Sequence, residues 1–565
     1  MKFGSSVMRT HHYNLGSFQS RRFLSKDANY ITTPIFYVNA KPHLGHFYSM
    51  TLADVQNRWT KFNNRETFFT TGTDEHGLKV QAAAAKVNTD PKKFCDGLAE
   101  KFKDLARLGE VDYDRFIRTT DPDHLIAVNH FWKTVWDKGY IYKGQHSGWY
   151  SVSDEAFYTE RDIEEVVDEK TGEKKMASKE TGSEVNFESE ENYFFKMSQF
   201  QKPLIEYFEA HREFVQPDKY YQLVLNELKE EELPDLSISR PSWRLSWGIP
   251  VPNDDSQKIY VWFDALINYL TSIGYPNNPQ LTPATHLIGK DITRFHCIHW
   301  PIFLMAADLP LPRRVVVHGH WLMGGRKMSK SRGNVADPVE ISEYYDTDAL
   351  RLFMMRNSVL TTDCDYSEEK VNNTRNEFID KFCNMVTRGL SKNFDIEGTL
   401  VRIEQSSLNS MLNSLKNSEL EKELKGLYEE VNGLPKLMDE NVSDFRMLKP
   451  LDDVWEVVRR VNLMFETYKP WSLKIKKENS EEQNSALQLE KQLIVFSALD
   501  AMRCIFILLQ PFVPNYSALL LDRLHVAGDR RGIEYAQIGA DLTYGRNAVH
   551  KKNDKVPLSK LEMKQ

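Results

Sequence analysis

The nine residues Tyr30-Ile31-Thr32-Thr33-Pro34-Ile35-Phe36-Tyr37-Val38 constrain this chain most. They are apolar, β-branched and aromatic almost without interruption, the pattern of a buried strand. Pro42 then breaks the chain, and Phe47 to Val55 reads as a helix. Pro42-His43-Leu44-Gly45-His46 therefore occupies a strand-to-helix turn. A helix N-terminus offers N–H donors without intrahelical partners and a partial positive charge, which suit phosphate. Gly45 lets a ligand approach the backbone closely, and His43 and His46 add two side-chain donors. Taken alone, the pentapeptide is equally well a tight turn with two surface histidines.

A second stretch lies far downstream, after the β-branched Val315-Val316-Val317: Gly324-Gly325-Arg326-Lys327-Met328-Ser329-Lys330-Ser331-Arg332-Gly333. Four cations in seven residues on a glycine-hinged loop suit a polyanion that must be gripped and released. By itself this is a solvated basic loop. Together, in this order and each after a strand, the two stretches resemble the HIGH and KMSKS signatures of class I aminoacyl-tRNA synthetases. The second matches letter for letter, and the first carries Leu44 in place of isoleucine.

Between them, strand-like and helix-like segments alternate. Glu66 to Thr71 reads as a strand, Gly72-Thr73-Asp74-Glu75-His76-Gly77 as the turn after it, and Leu78 to Lys86 as an alanine-rich helix. Residues 91–108 and 121–138 read as amphipathic helices. Such alternation implies a parallel sheet with helices on its faces, whose ligands bind at the carboxyl ends of the strands. A polar stretch, 151–198, interrupts the pattern as a small inserted cover over the site or guide for a tRNA end. The pattern resumes near Ile259-Tyr260-Val261-Trp262-Phe263 and continues through His286 to Asp291 and Val315 to Gly319. Beyond about residue 340 strands are not expected, and helical periodicity over 345–360, 367–392, 407–435, 449–468 and 481–523 implies a helical bundle. The expected class is α/β: a Rossmann-like parallel-sheet catalytic domain with a small insertion, then an α-helical bundle. With the resemblance, this gives a leader (1–26), two catalytic halves (29–150 and 216–345) around a connective insertion (151–215), an anticodon-binding domain (346–540) and a tail (541–565).

The net charge of −7 excludes a wholly basic nucleic-acid binder but not a local basic surface. No apolar run is read as long enough to span a bilayer, so no membrane partner is expected. The five cysteines are scattered and form no C-x-x-C pair, which fits a reducing compartment. Residues 1–26 hold Lys2, Arg9, Arg21, Arg22 and Lys26, five serines and no acid, the composition of a mitochondrial transit peptide, or else of a disordered basic arm. The mitochondrial matrix is the expected compartment.

ATP activation of a carboxylic acid requires the α-phosphate to be held in line and its growing charge to be met by donors and cations. His43 and His46 can supply the donors, and Lys327 and Lys330 the cations. Gly289-Lys290-Asp291 ends a strand near these motifs; Asp291 can bind ribose hydroxyls and Lys290 can assist the phosphates, or the three form a structural turn. The resemblance assigns His43, Gly45, His46, Gly289, Asp291, Lys327, Met328, Ser329 and Lys330 to ATP, with Mg²⁺ as its usual companion.

Thr33 to Asn39, Gly72 to Gly77, Tyr260 to Ala265 and His286 to Asp291 look like methionyl-tRNA synthetases. That resemblance runs from about residue 29 to 525. It implies that Asp74 holds the substrate ammonium and that Ile35, Tyr37, Trp262, Ala265, Leu266, Tyr269, Ile292 and His296 line a thioether pocket. A polarizable thioether gains from aromatic neighbours. On the residues alone, Trp262 in its apolar run reads as core. Many relatives carry cysteine-ligated zinc in the insertion, whereas Trp149-Tyr150-Ser151-Val152-Ser153-Asp154-Glu155 has no cysteine, so no zinc is expected. A monomer is expected. The resemblance also places Asn384, Arg388 and Trp471 on an anticodon-binding surface for a methionine tRNA. Otherwise they are a surface polar pair and a core tryptophan.

Competing readings are weaker. Valyl, leucyl and isoleucyl enzymes need a large editing insertion, for which the stretch from Tyr150 to Phe263 is too short. A cysteinyl enzyme needs zinc ligands, and a small nucleotidyltransferase needs no such bundle. A catalytically dead RNA-binding derivative would not need both histidines and both lysines.

Overall fold

The structure is a computed structural model that describes residues 24–25, 27–151, 156–158, 160–167, 174–179, 181–278, 281–328, 335–545 and 557–563. Ser329, Lys330, nearly all of the leader and much of the tail lie outside the described residues, and Lys327 is described through its backbone only.

The apolar run becomes β1 (Asn29–Tyr37), the turn opens α1 (Leu44–Phe62), and the chain continues through β2 (Thr67–Asp74), α2 (Leu78–Lys86), α3 (Pro91–Leu108), β3 (Arg115–Arg118) and α4 (Pro122–Asp137). The central sheet has six strands in the order Arg115–Arg118, Thr67–Asp74, Asn29–Tyr37, Ala284–Gly289, Arg314–His318 and Val215–Gln216. Every neighbouring pair is parallel. The chain thus builds outward from β1 in one direction through β2 and β3, and in the other through the Ala284–Gly289 and Arg314–His318 strands. The switch in direction opens a crevice beyond the carboxyl end of β1. Pro34 is tolerated in this central strand because the register slips between Thr32 and Ile35, and a bulge absorbs the missing N–H.

The inserted region is mostly antiparallel strand. Its four-stranded sheet takes the order Leu236–Ser237, Asn186–Phe195, Ile141–Ser151, Ala156–Tyr158, and Ile163–Val167 pairs separately with Lys174–Ser178. Near Ile259 to Phe263, where the α/β alternation was expected to resume, the chain does not yet rejoin the parallel sheet. Asp254–Ile259 pairs antiparallel within a separate small sheet, and Val261–Leu266 is a helix. A short run that is apolar on all sides does not distinguish a buried helix from a buried strand.

Among the described residues beyond 338, helices dominate and the one strand is Cys364–Tyr366, which pairs parallel with Trp321–Met323. Strands do not vanish there as expected: a three-residue strand has no periodicity to read, and its partner lies some forty residues upstream. The helix Glu481–Leu509 also corrects the reading of apolar runs. It contains a window of mean hydropathy 1.9, long and apolar enough to cross a membrane, yet that window is 100% buried within the protein. Asp500 and Arg503, which interrupt the run, form a 2.6 Å ion pair inside the bundle. Of the tail, residues 557–563 lie against the Glu368–Phe378 helix, where Arg375 donates to Ser559 O at 2.7 Å and Lys560 pairs with Asp380.

The parallel-sheet region and the helical region share one core. Arg351, fully buried, pairs with the equally buried Asp54 of α1 at 2.7 Å. It also donates to Gly109 O, Phe512 O and Pro511 O at 2.8, 3.0 and 2.9 Å. Trp59, near the end of α1, donates from Nε1 to Asp439 Oδ1 at 2.8 Å. Removing one member of a buried pair strands the other charge, at about 3–5 kcal/mol. Arg351→Ala is therefore expected to lower stability by about that amount in urea unfolding, and a loss below ~1 kcal/mol would show the joint to be dispensable.

Candidate active site

α1 starts at Leu44, three residues earlier than its sequence periodicity implied, because His43 caps it. The Gly45 N–H donates to His43 Nδ1 at 3.0 Å, and the His43 N–H donates to His46 Nδ1 at 3.0 Å. The histidines thus form a reciprocal capping box in the way serine and glutamate usually do. Accepting at Nδ1 places the proton of each neutral ring on Nε2, so each ring is a donor at its far nitrogen. The rings lie 3.9 Å apart, and Phe36 and Phe102 set the His46 ring edge-on at 4.9 and 5.2 Å. Gly45 serves this cap directly: a Cβ there would lie 2.9 Å from His43 Cε1.

Asp74 ends β2 beside Tyr37 at the end of β1, in register with it. Asp74 is buried and faces the same cleft. Opposite, the Val261–Leu266 helix presents Trp262, whose ring stacks on Phe295 at 3.7 Å and 5° and meets Tyr37 edge-on at 6.3 Å. Trp262 is half-buried and lines the cleft rather than the core. After the Ala284–Gly289 strand come a 3-10 turn, Lys290–Ile292, and a π-turn, Phe295–His299. The wider π-turn, a feature frequent at functional sites, lets Phe295, His296 and His299 all reach the cleft.

His296 Nδ1 donates to Ile292 O at 3.0 Å, so its Nε2 accepts from the Tyr269 hydroxyl at 2.7 Å. Burial lowers its pKa to about 4, and the ring is neutral at physiological pH. Tyr269 is pushed well above the usual phenol range by burial. Beneath it, His286 accepts at Nε2 from Trp300 Nε1 at 3.1 Å, and Nδ1 contacts Thr32 Oγ1 at 2.8 Å. This floor holds polar groups paired and uncharged under an apolar, aromatic wall, which suits a neutral thioether.

At the other end of the cleft, His318 donates from Nδ1 to Gly319 O and accepts from Ser49 at Nε2, at 2.8 and 2.9 Å. Burial lowers its pKa to about 4. Gly289, Asp291 and Met328 line this end. Gly324 and Gly325 turn the Trp321–Met323 strand into Arg326–Lys327 with φ of 61° and 70°, left-handed values that glycine adopts without cost.

The structure thus gathers His43, Gly45, His46, Ile35, Tyr37, Asp74, Trp262, Ala265, Leu266, Tyr269, Gly289, Asp291, Ile292, His296 and Met328 around one cleft of about 1510 Å³. Phe295 and His299 were missed by the sequence reading. Their signal was the spacing: Ile292, Phe295, His296 and His299 stand at i, i+3, i+4 and i+7, one face of a helix. Asn384, Arg388 and Trp471 stand apart, in the helical region. The Arg388 guanidinium lies 5.0 Å over Phe465 and 5.4 Å over Trp471, and pairs with Glu466 at 2.6 Å. Trp471 is 41% exposed, which rules out the core reading. Asn384 Nδ2 is 3.4 Å from Asp380 Oδ1. Among the described residues, no three His, Cys, Asp or Glu converge in a metal-holding group.

A parallel sheet built outward from β1, with a paired-histidine helix start at its carboxyl edge, is the arrangement that the class I synthetase signatures implied. The family profile "tRNA synthetases class I (M)" matches residues 29–390. The mitochondrial methionine–tRNA ligase of Candida albicans is 45% identical, over 96% of this chain and 97% of that one. That of Saccharomyces cerevisiae is 41% identical, over 96% of each. The Mycobacterium tuberculosis methionyl-tRNA synthetase, solved in complex with methionyl-adenylate, superposes with a TM-score of 0.80 at 32% identity, covering 92% of this chain and 97% of that one. The chain belongs to the class I tRNA synthetases, in their methionine-specific family.

The buried histidines make stability pH-dependent. Burial lowers His299 to about 3, well under the unfolded value of about 6.5. The unfolded chain therefore binds the proton first, and stability present above pH 6.5 is lost as pH falls toward 3. The melting temperature is expected to drop between pH 7 and pH 5, and His299→Phe to shallow that slope; an unchanged slope would show that His299 stays accessible to protons in the folded chain.

Proposed function

We propose that this cleft joins methionine to AMP and then passes the methionyl group to the 3′-terminal ribose of a methionine tRNA. The chain is an ATP-dependent aminoacyl-tRNA ligase, and the observation that carries the site assignment is the convergence of the capped histidine pair and the aromatic thioether pocket on one cleft. In the first step a methionine carboxylate oxygen attacks the α-phosphorus and pyrophosphate leaves. In the second a ribose hydroxyl attacks the methionyl carbonyl carbon and AMP leaves.

In this reading Asp74 holds the substrate ammonium at the end of β2. Ile35, Tyr37, Trp262, Ala265, Leu266, Tyr269, Ile292 and His296 enclose the thioether. The far nitrogens of His43 and His46 donate to phosphate oxygens as charge builds on them. Gly289 and Asp291 receive the ribose, and Met328 lies against the nucleotide. Lys327, Ser329 and Lys330 close over the phosphates from the glycine-hinged loop. Mg²⁺ carried on the ATP phosphates neutralises part of their charge. Arg388, Trp471 and Asn384 read anticodon bases from the helical region, which takes up residues 346–540, with the catalytic halves at 29–150 and 216–345 and the insertion at 151–215. The names of the relatives and the basic, acid-free first 26 residues support import into the mitochondrial matrix.

Amino-acid-dependent exchange of pyrophosphate into ATP tests the assignment. Methionine is expected to support exchange best, and a faster rate with leucine or cysteine would overturn it. His46→Ala is expected to lower kcat for exchange at least a hundredfold, about 2.7 kcal/mol of transition-state stabilisation, with a smaller change in KM for methionine. A raised KM with unchanged kcat would remove His46 from the chemistry.

The exposed Trp471 gives a separate test. Stacking on a base is worth ~1–3 kcal/mol, so Trp471→Ala is expected to lower kcat/KM for the tRNA roughly tenfold to a hundredfold while leaving pyrophosphate exchange and the melting temperature unchanged. Normal charging by this variant would remove Trp471 from the tRNA surface.

A further inference from the structure

Asp363 does not line the cleft, yet it touches the groups at the cleft's nucleotide end. Its two carboxylate oxygens lie 2.8 and 2.9 Å from Lys290 Nζ. Oδ1 also accepts the His320 N–H at 2.9 Å. His320 in turn reaches the Asp291 carboxylate from Nε2, at 3.1 Å. One carboxylate therefore holds Lys290 directly and Asp291 through a single intervening residue.

The backbone brings Asp363 there. It directly precedes the Cys364–Tyr366 strand, which lies parallel to Trp321–Met323. Cys364 N–H donates to His320 O at 2.9 Å. Gly319 packs so closely on this segment that a Cβ would lie 2.2 Å from Thr362 O, so no other residue fits. Two residues on, Asp365 Oδ1 accepts the Gly325 N–H at 3.0 Å, at the turn that opens the lysine loop. The same short segment thus braces the nucleotide wall and the base of the loop.

We propose that Asp363 is a positioning residue for the ATP half of the cleft: its carboxylate holds Lys290 and the His318–His320 turn, and through His320 the Asp291 carboxylate, in the arrangement that receives the nucleotide. A lysine free to rotate must be ordered when the nucleotide binds, and one held beforehand avoids that cost. The carboxylate also offsets the lysine charge in the empty cleft, so the gain is in placement rather than in net attraction. The inference rests on the placing of ATP at Gly289 to Asp291.

The test compares Asp363→Asn with Asp291→Asn in the full chain, by pyrophosphate exchange with ATP and methionine varied separately. Losing a hydrogen bond to a charged group corresponds to about tenfold. Asp363→Asn is therefore expected to raise KM for ATP about tenfold, with KM for methionine and the melting temperature unchanged. An unchanged or lowered KM for ATP overturns the proposal, the lowered value because Asp363 would then be withholding Lys290. If Asp291→Asn also leaves KM for ATP unchanged, the placing of ATP fails and the inference falls with it. If Asp291→Asn raises it and Asp363→Asn does not, only the inference fails. Should Asp363→Asn melt earlier, Asp363→Glu decides. Partial recovery of KM for ATP supports positioning by the carboxylate, and no recovery overturns it.

Discussion

The fully buried pair between Asp54 and Arg351 is the contact on which the rest of the molecule is hung. Asp54 sits midway along α1 and also receives Arg58 Nε at 2.9 Å and the Asp112 N–H at 2.7 Å. Arg351 spends its other donors on carbonyls from both halves of the chain. The first turn of the same helix carries the two histidines, and its last turns carry Trp59, bonded to Asp439 of the helical region. α1 is therefore a rod fixed in the middle and at the far end, whose free end is the histidine turn. Buried charges tolerate little displacement, because each must keep its partner.

The sheet supplies the second constraint. All its strands are parallel, so their carboxyl ends lie on one edge, and each functional segment follows such an end. His43 and His46 follow β1, Asp74 ends β2, Lys290 and Asp291 follow Ala284–Gly289, and His318 to His320 follow Arg314–His318. The site divides electrically along this edge. Its end at Tyr269 and His296 carries imidazoles held uncharged by burial and locked by hydrogen bonds, with the Asp74 carboxylate on the same cleft. Its other end is rich in donors, with Lys290, the helix start and two Nε2–H groups. A neutral thioether and a polyanion can thus be held in one cleft without competing for the same groups.

Much of this could be read from the chain. The strand, the turn and α1 followed from one apolar run and one proline, and α2 and α3 fall on the residues their periodicity marked. The pocket residues were legible only through resemblance, since an aromatic in an apolar run gives no sign of facing a cavity. Trp262 shows why: its neighbours Val261 and Phe263 are buried, while its own ring lies along the cleft. The length of the apolar run within Glu481–Leu509 was hidden by Asp500 and Arg503, which look like surface residues until their pairing is seen.

What the sequence by itself determined is the local grammar: which runs are strands, where helices start, and which residue types crowd the turns. Those signals depend on neighbours within a few positions, where periodicity and backbone preference act. Tertiary structure alone decided which turns meet. It set the tautomers of His43 and His46, the stacking of Trp262 on Phe295, and the grip of Asp363 on Lys290. Each depends on contacts between elements far apart in the chain or on the exact path of the backbone, and such contacts leave no period in a sequence because only the folded core brings the partners together.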